Sequence, residues 1–387
     1  MARYGSASAA PERNVIMKRR VLFLIHDLGP GGAEKVLVNL VNGLDGEKFD
    51  VSLRVLFDWG PNRKNLSPDV HYSSWIKRDI PANSHWMKLW TPQQLWRQII
   101  PDSFDIVISF LEGPCARVVG GCPENGQKTV SWIHTPILNE KKFIEGFRNH
   151  PEAAACYNRA DAVVFVSEDV RKAFHNYFIP QKSEKLLYNI YDSERIRQMS
   201  REDPHSVRMN SKLLNWCGMG KLIPLKGWER MLNIQKKLHD ENIPAHFYVI
   251  GDGPQREELK QKASALGIAD FVTFTGYLDN PYAVISCCDL YVNASEREGF
   301  STAVVESLLC GTPVCAVAVG GMKEILGEKN EYGVVTKNDD AALYQAVRLF
   351  LTNTSYREMY QARALERAKT FDQKRSIQTV EDFLLTL

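Results

Sequence analysis

The sequence predicts an α/β protein made of two Rossmann-like, doubly wound domains that face each other across a cleft. Three observations lead there. At 387 residues the chain is longer than one hydrophobic core usually supports. Its apolar segments are continuous runs rather than alternating ones, the mark of strands buried on both faces of a parallel sheet. Helical segments alternate with these runs, and the series starts twice.

The first series opens at Lys18-Arg19-Arg20-Val21-Leu22-Phe23-Leu24-Ile25-His26, an apolar run behind basic residues. A glycine-rich loop, Gly29-Pro30-Gly31-Gly32-Ala33-Glu34, leads into an amphipathic helix over Lys35 to Leu44. Strand, glycine loop and helix in that order begin a doubly wound domain. The loop is a poor dinucleotide fingerprint, because Glu34 stands where the third glycine belongs. Further strands are expected at 51–57, 106–110, 128–133 and 162–166. Residues 192–211 turn polar, as at a crossing between domains. The second series begins at 213–218, continues through a helix from Trp228 to Glu241 and the strand 246–250, and reaches the strand 272–274. The resulting division is a flexible leader over 1–16, a first domain over 17–193, a second over 194–371, and an amphipathic segment over 372–387.

Composition narrows the function classes. Apolar residues make up 44% and charged residues 24% of the chain, ordinary for a globular protein. A net charge of +2, mildly basic in the first half and mildly acidic in the second, gives no reason to expect a nucleic-acid partner. No apolar run reaches the roughly 18 residues that cross a bilayer, and the first residues lack a signal-peptide core. The expected location is the cytoplasm, up to the inner face of the cell membrane. Eight cysteines include no Cys-x-x-Cys pair, so they read as free buried thiols, and no metal site is expected. Trp75, Trp86, Trp90 and Trp96 lie among Lys77, Arg78, Lys88 and Arg97. That mixture suits peripheral contact with a membrane, or an acceptor groove, and equally suits packing under a long loop.

The chemistry concentrates between Asn293 and Val314. A strand ends near Asn293, a loop carries Glu298 and Gly299, a helix starts near Ser301 and stops at Gly311 and Pro313, and another strand follows. The turn Gly299-Phe300-Ser301-Thr302 offers unpaired backbone N–H groups at a helix start, a seat for a phosphate. Glu298 and Glu306 bracket it. An acid at a helix start is commonly no more than a capping charge worth about 0.3–1 kcal/mol. Together, however, the two acids frame a ligand anionic in one part and rich in hydroxyls in another, which describes a nucleotide sugar.

From about Arg19 onward the chain resembles family 4 glycosyltransferases, the glycosyl transferases group 1. Glu298 and Glu306 have the spacing of the family's E-x7-E motif. Gly218-Met219-Gly220-Lys221 with Lys226-Gly227 resembles its G-R…K-G segment, with Lys221 where the family usually has Arg. Gly251-Asp252-Gly253-Pro254, Phe274-Thr275-Gly276-Tyr277, Gly320-Gly321-Met322-Lys323-Glu324-Ile325 and Gly31-Gly32-Ala33-Glu34 also match. The resemblance implies a GT-B fold, with the second domain binding the donor and the last segment crossing back onto the first.

It also implies roles. Lys221, Lys226 and the amides of Gly299 to Thr302 would stabilise the departing diphosphate; Glu298 would hold donor-sugar hydroxyls and Glu306 the ribose. His134, after a strand, matches a histidine held against the donor sugar, although a lone histidine there is more often structural. Gly31 and Gly32 would let backbone approach the diphosphate or acceptor. Gly276 and Tyr277 are carried over as substrate-binding positions, and Asn189 would organise the domain junction. The implied reaction is retaining and metal-independent and uses no cofactor. A hexose or N-acetylhexosamine would pass from a UDP-sugar to a glycan, such as a lipid-linked precursor of a bacterial surface polysaccharide. The competing readings are a GDP-mannose-dependent mannosyltransferase, a catalytically silent nucleotide-sugar-binding partner, and a nicotinamide oxidoreductase, which the broken glycine pattern disfavours.

Overall fold

A computed structural model describes residues 17–77, 86–124, 126–205 and 207–387. The leader expected over residues 1–16 and Arg78 of the tryptophan-rich region lie outside the described residues.

Two all-parallel sheets form the framework. The first contains β1 (Arg19–Ile25), β2 (Phe49–Phe57), β3 (His71–Ile76), β4 (Ile106–Ser109), β5 (Lys128–Ile133), β6 (Ala162–Phe165) and β7 (Ser183–Leu186), in the order β3-β2-β1-β4-β5-β6-β7. The second contains β8 (Leu214–Met219), β9 (Ala245–Ile250), β10 (Val272–Gly276), β11 (Leu290–Asn293), β12 (Val314–Val317) and β13 (Val334–Thr336), in the order β10-β9-β8-β11-β12-β13. Both are doubly wound, as expected. The strand order reverses at β1 and β4 in one sheet and at β8 and β11 in the other. Val21 is paired with Val51 on one side and Ile106 on the other, and Trp216 with Phe247 and Leu290. Ligands of such sheets sit beyond the carboxyl ends of the strands at these reversals.

The central strands are apolar because both faces are covered: Val21 to Ile25 of β1 are fully buried, as are Trp216 and Cys217 of β8. A polar atom in this interior needs a partner. Trp216 Nε1 donates to Gln235 Oε1 at 2.7 Å, and Gln235 Nε2 donates to the Ala245 carbonyl at 2.9 Å.

The last helix, Gln373–Thr386, lies against the first domain. Glu381 accepts from the Asp45 amide at 2.7 Å and from Lys48 Nζ at 2.6 Å, and Arg19 donates to the Leu384 carbonyl at 2.8 Å. The tryptophans pack. Trp96 is buried in the core beside Leu22 and Leu24. Trp75, Trp86 and Trp90 cluster with ring centroids 5.3–6.4 Å apart. Arg117 and Arg148 hold the carbonyls of residues 87–90 beneath them. These rings pack against the core of the first domain, with Trp75, Trp86 and Trp90 half-buried at its margin.

Candidate active site

Two helix starts meet between the halves. Gly31 is the N-cap of Gly32–Gly43 in the first domain, and Ser301 is the N-cap of Thr302–Leu309 in the second. A Cβ on Gly32 would stand 2.9 Å from Thr302 Oγ1, so the missing side chain lets the two helix starts touch. One turn further along both, Lys35 Nζ pairs with Glu306 Oε1. The contacts follow the same order along each helix, so the two N-termini lie together. Their unpaired N–H groups and positive dipole ends therefore converge on one place.

Glu306 is only 3% exposed. Tyr282 donates its hydroxyl to the same Oε1 at 3.0 Å, and the Lys35 ammonium also reaches the Tyr282 oxygen and lies 4.9 Å from the ring centroid. Burial, then the charge of Glu306, pushes the Tyr282 phenol well above its ordinary range, so it remains a donor. No hydrogen bond to Glu306 Oε2 is found among the described residues.

Glu298 is held in the loop after β11. Its Oε1 accepts from Lys226 Nζ at 2.6 Å, from Ser295 Oγ at 2.7 Å and from Asn293 Nδ2 at 3.4 Å. Lys226 ends a short 3-10 turn, Pro224–Lys226, beyond β8. A carboxylate so neutralised and oriented accepts further hydrogen bonds in a fixed direction. The structure does not bring every residue read from the sequence to this pair. Lys221 is exposed and makes no ion pair among the described residues; its carbonyl accepts from Trp228 Nε1 at 3.0 Å. Gly276 ends β10 beside Arg256, and the Tyr277 side chain is 60% exposed.

His134 follows β5 and is 6% exposed, its ring 4.5 Å from that of Phe110. Burial pushes its pKa down to about 3, so the ring is neutral at physiological pH. Its Nε2 is buried without a partner, while its amide donates to Glu112 Oε2 at 3.0 Å. The His134 carbonyl faces Gly299 across the domain boundary: a Cβ on residue 299 would stand 1.9 Å from that oxygen. Behind the contact, Ser167 Oγ donates to the Gly299 carbonyl and Asn189 Nδ2 to the Phe300 carbonyl, each at 3.2 Å. Asn189 thus joins the domains where the chain passes between them. Phe300 is buried against the Tyr188 ring, with centroids 5.1 Å apart.

Comparison with known proteins decides the family. Residues 30–195 match the model of Glycosyltransferase Family 4, and residues 201–367 match that of Glycosyl transferases group 1, so both domains are covered. The chain belongs to the family 4 glycosyltransferases. This glycosyltransferase is 25% identical over 371 residues to the N-acetylgalactosamine-N,N'-diacetylbacillosaminyl-diphospho-undecaprenol 4-alpha-N-acetylgalactosaminyltransferase of Campylobacter jejuni, covering 93% of the chain and 98% of the relative. It is 24% identical to the lipopolysaccharide core biosynthesis glycosyltransferase LpsD of Rhizobium meliloti, covering 89% of the chain and 92% of LpsD. In fold it resembles Anabaena HepE, solved with UDP and glucose, with a TM-score of 0.75, 20% identity, and coverage of 95% of this chain and 100% of HepE. The architecture is therefore GT-B.

Within this glycosyltransferase several cleft residues went unread in the sequence. Lys35 and Tyr282 surround Glu306, Ser295 and Asn293 orient Glu298, and Glu112 holds the His134 amide. Lys35 and Tyr282 meet Glu306 through tertiary packing alone, which leaves no local signal. Glu34 did lie within a matched motif, without a role. Its carboxyl folds over Gly31, where a Cβ would come within 2.2 Å of Oε2. Burial, supplemented by the charge of Asp27, pushes its pKa up to about 7.

Proposed function

We propose that this glycosyltransferase is a retaining, metal-independent enzyme that transfers a hexose or N-acetylhexosamine from a UDP-sugar to a lipid-linked saccharide, a precursor of a surface polysaccharide. The observation that carries the reading is the meeting of two helix N-termini at Gly32 and Thr302, flanked by Lys226–Glu298 and by Glu306. A diphosphate seated there faces N–H donors and positive dipole ends from both domains.

In this reading Lys226 and the Gly299–Thr302 amides take up charge as the bond between the sugar C1 and the phosphate oxygen breaks. They supply the positive charge that a metal ion supplies elsewhere. The acceptor oxygen bonds to C1 on the face the phosphate leaves, and its proton passes to a phosphate oxygen, so the anomeric configuration is kept. Glu298, already oriented by Lys226 and Ser295, accepts hydrogen bonds from sugar hydroxyls. His134, neutral and buried, offers Nε2 to the sugar as a hydrogen-bonding partner without charge. The nucleotide is read as UDP because HepE was solved with UDP and with UDP-glucose. The lipid-linked acceptor is read from the diphospho-undecaprenol in the name of the Campylobacter relative. Such an acceptor would place the work at the inner face of the membrane. No helix among the described residues is long and apolar enough to cross it.

Slow hydrolysis of a UDP-sugar, measured with and without EDTA, is the direct test. Turnover should be unchanged by EDTA and lost in Glu298→Ala and Lys226→Ala, and the glycoside formed when an acceptor saccharide is added should keep the donor sugar's anomeric configuration by NMR. Thermal stabilisation by GDP and not UDP would overturn the donor assignment. Wild-type turnover in both variants would overturn the site.

A further inference from the structure

Glu306 is a buried carboxylate whose two oxygens have unequal surroundings. Oε1 takes both the Lys35 ammonium and the Tyr282 hydroxyl. Oε2 accepts no hydrogen bond among the described residues and is not one of the buried side-chain atoms left without a partner, so this oxygen stays open to a ligand. The saturating cation comes from the other domain, on the helix whose first residue, Gly32, touches Thr302. Thr302 lies one turn before Glu306 on the same helical face. Lys35 therefore reaches Glu306 only when the helix starts meet. One further ion pair, Lys64 with Asp279 at 3.1 Å, links the first domain's helical turn to the second domain, and it is largely exposed and correspondingly weak.

We propose that Lys35 is a positioning residue for nucleoside recognition: it pins Oε1 of Glu306 and turns Oε2 toward the donor, so that one fixed oxygen reads the ribose hydroxyls. This rests on the reading of Glu306 as the ribose contact. Lys35 itself need not touch the nucleotide. By neutralising Glu306 from across the cleft, it lets a buried charge persist, and by occupying one oxygen it removes the rotational freedom that would blur recognition. Tyr282 adds a neutral donor to the same oxygen, so the carboxylate is fixed by two groups from two domains. Closure of the cleft and selection of a ribonucleoside then become one event, because the group that orients the reader arrives only on closure.

The test compares binding of UDP, 2′-deoxy-UDP and 3′-deoxy-UDP by titration calorimetry, using the full chain and its Lys35→Met and Lys35→Arg variants. Wild type should favour UDP over at least one deoxy analogue by about tenfold or more, the scale of a hydrogen bond to a charged group. Lys35→Met should weaken UDP by a similar factor while narrowing that preference to roughly threefold or less, since the lost discrimination is the same bond. Lys35→Arg, which keeps the charge, should restore most of the preference. Equal weakening of all three nucleotides by Lys35→Met would mean that Lys35 only braces the domains, and would overturn this inference alone. Absence of UDP binding by the wild type would overturn the donor reading as well.

Discussion

The His134 carbonyl and the Gly299 α-carbon meet so closely across the domain boundary that the space for a methyl group is already filled by backbone, 1.9 Å from where its carbon would stand. Both residues belong to loops beyond strand ends, His134 after β5 and Gly299 in the turn that starts the Thr302 helix. Their separation therefore reports how far the two sheets have closed on each other. Gly299→Ala should hold the cleft ajar by about an ångström and lower kcat/KM by about 10²-fold. Gly32→Ala, which meets the Thr302 side chain rather than backbone, should cost less. Steady-state kinetics beside small-angle scattering would check both, and wild-type kinetics in Gly299→Ala would show that this approach is not needed for turnover.

Lys226 and Glu298 should behave as one unit. Each neutralises and orients the other at 2.6 Å, so removing either also disturbs its partner. Lys226→Met and Glu298→Gln should each reduce kcat by about 10²–10³-fold, the range for loss of a preorganised electrostatic group. The double variant should fall well short of the product of the two losses. A double-mutant cycle on kcat is the measurement; strict multiplicativity would mean that the two side chains act separately.

The fold was legible because parallel sheets leave continuous apolar runs, and β1, β5 and β8 were read within one or two residues of their ends. The strands that escaped were β3, β7 and β13. Ser183-Glu184-Lys185-Leu186 shows why: β7 closes an edge, pairs on one side only, and carries charge where a central strand carries valine. The site was legible where its residues share a local motif. Glu298 and Glu306 were read as candidates because they match the family's E-x7-E motif, and the helix between them was placed to within a residue of its start. Lys35 and Tyr282 lie 271 and 24 residues from Glu306 in sequence, and only the packing of two helix starts brings them there. Lys221 shows the converse, a motif position whose side chain is exposed and makes no ion pair among the described residues.

Glu381 anchors the returning helix. It is 2% exposed and accepts from both the Asp45 amide and Lys48. Glu381→Ala leaves that amide without its acceptor and should destabilise the docked helix by about 2 kcal/mol. Urea titration should show a lower midpoint, and limited proteolysis should release the segment after Asp372 faster than in wild type. An unchanged cleavage rate would show that apolar contacts such as Ile377 against Gly43 suffice.

Glu34 should make stability depend on pH in a direction opposite to that of His134. The folded-state pKa of Glu34, about 7, lies above its ordinary value of 4.5. Between those values the folded chain holds a proton that the unfolded chain has released, so stability falls as pH rises through this window. Above it the full cost applies, up to about 3 kcal/mol for a difference of that size. His134, whose pKa falls from 6.5 to about 3 on burial, instead loses stability as pH falls below its ordinary value, because there the unfolded chain takes the extra proton. The two effects overlap in wild type and separate in the variant. Glu34→Gln keeps the shape and removes the titration, so the difference between variant and wild type isolates Glu34. That difference should grow in favour of the glutamine by up to about 3 kcal/mol between pH 5 and pH 8, read from denaturant midpoints at each pH. A difference that stays flat across this range would mean that Glu34 is hydrated in solution and carries its charge at no cost.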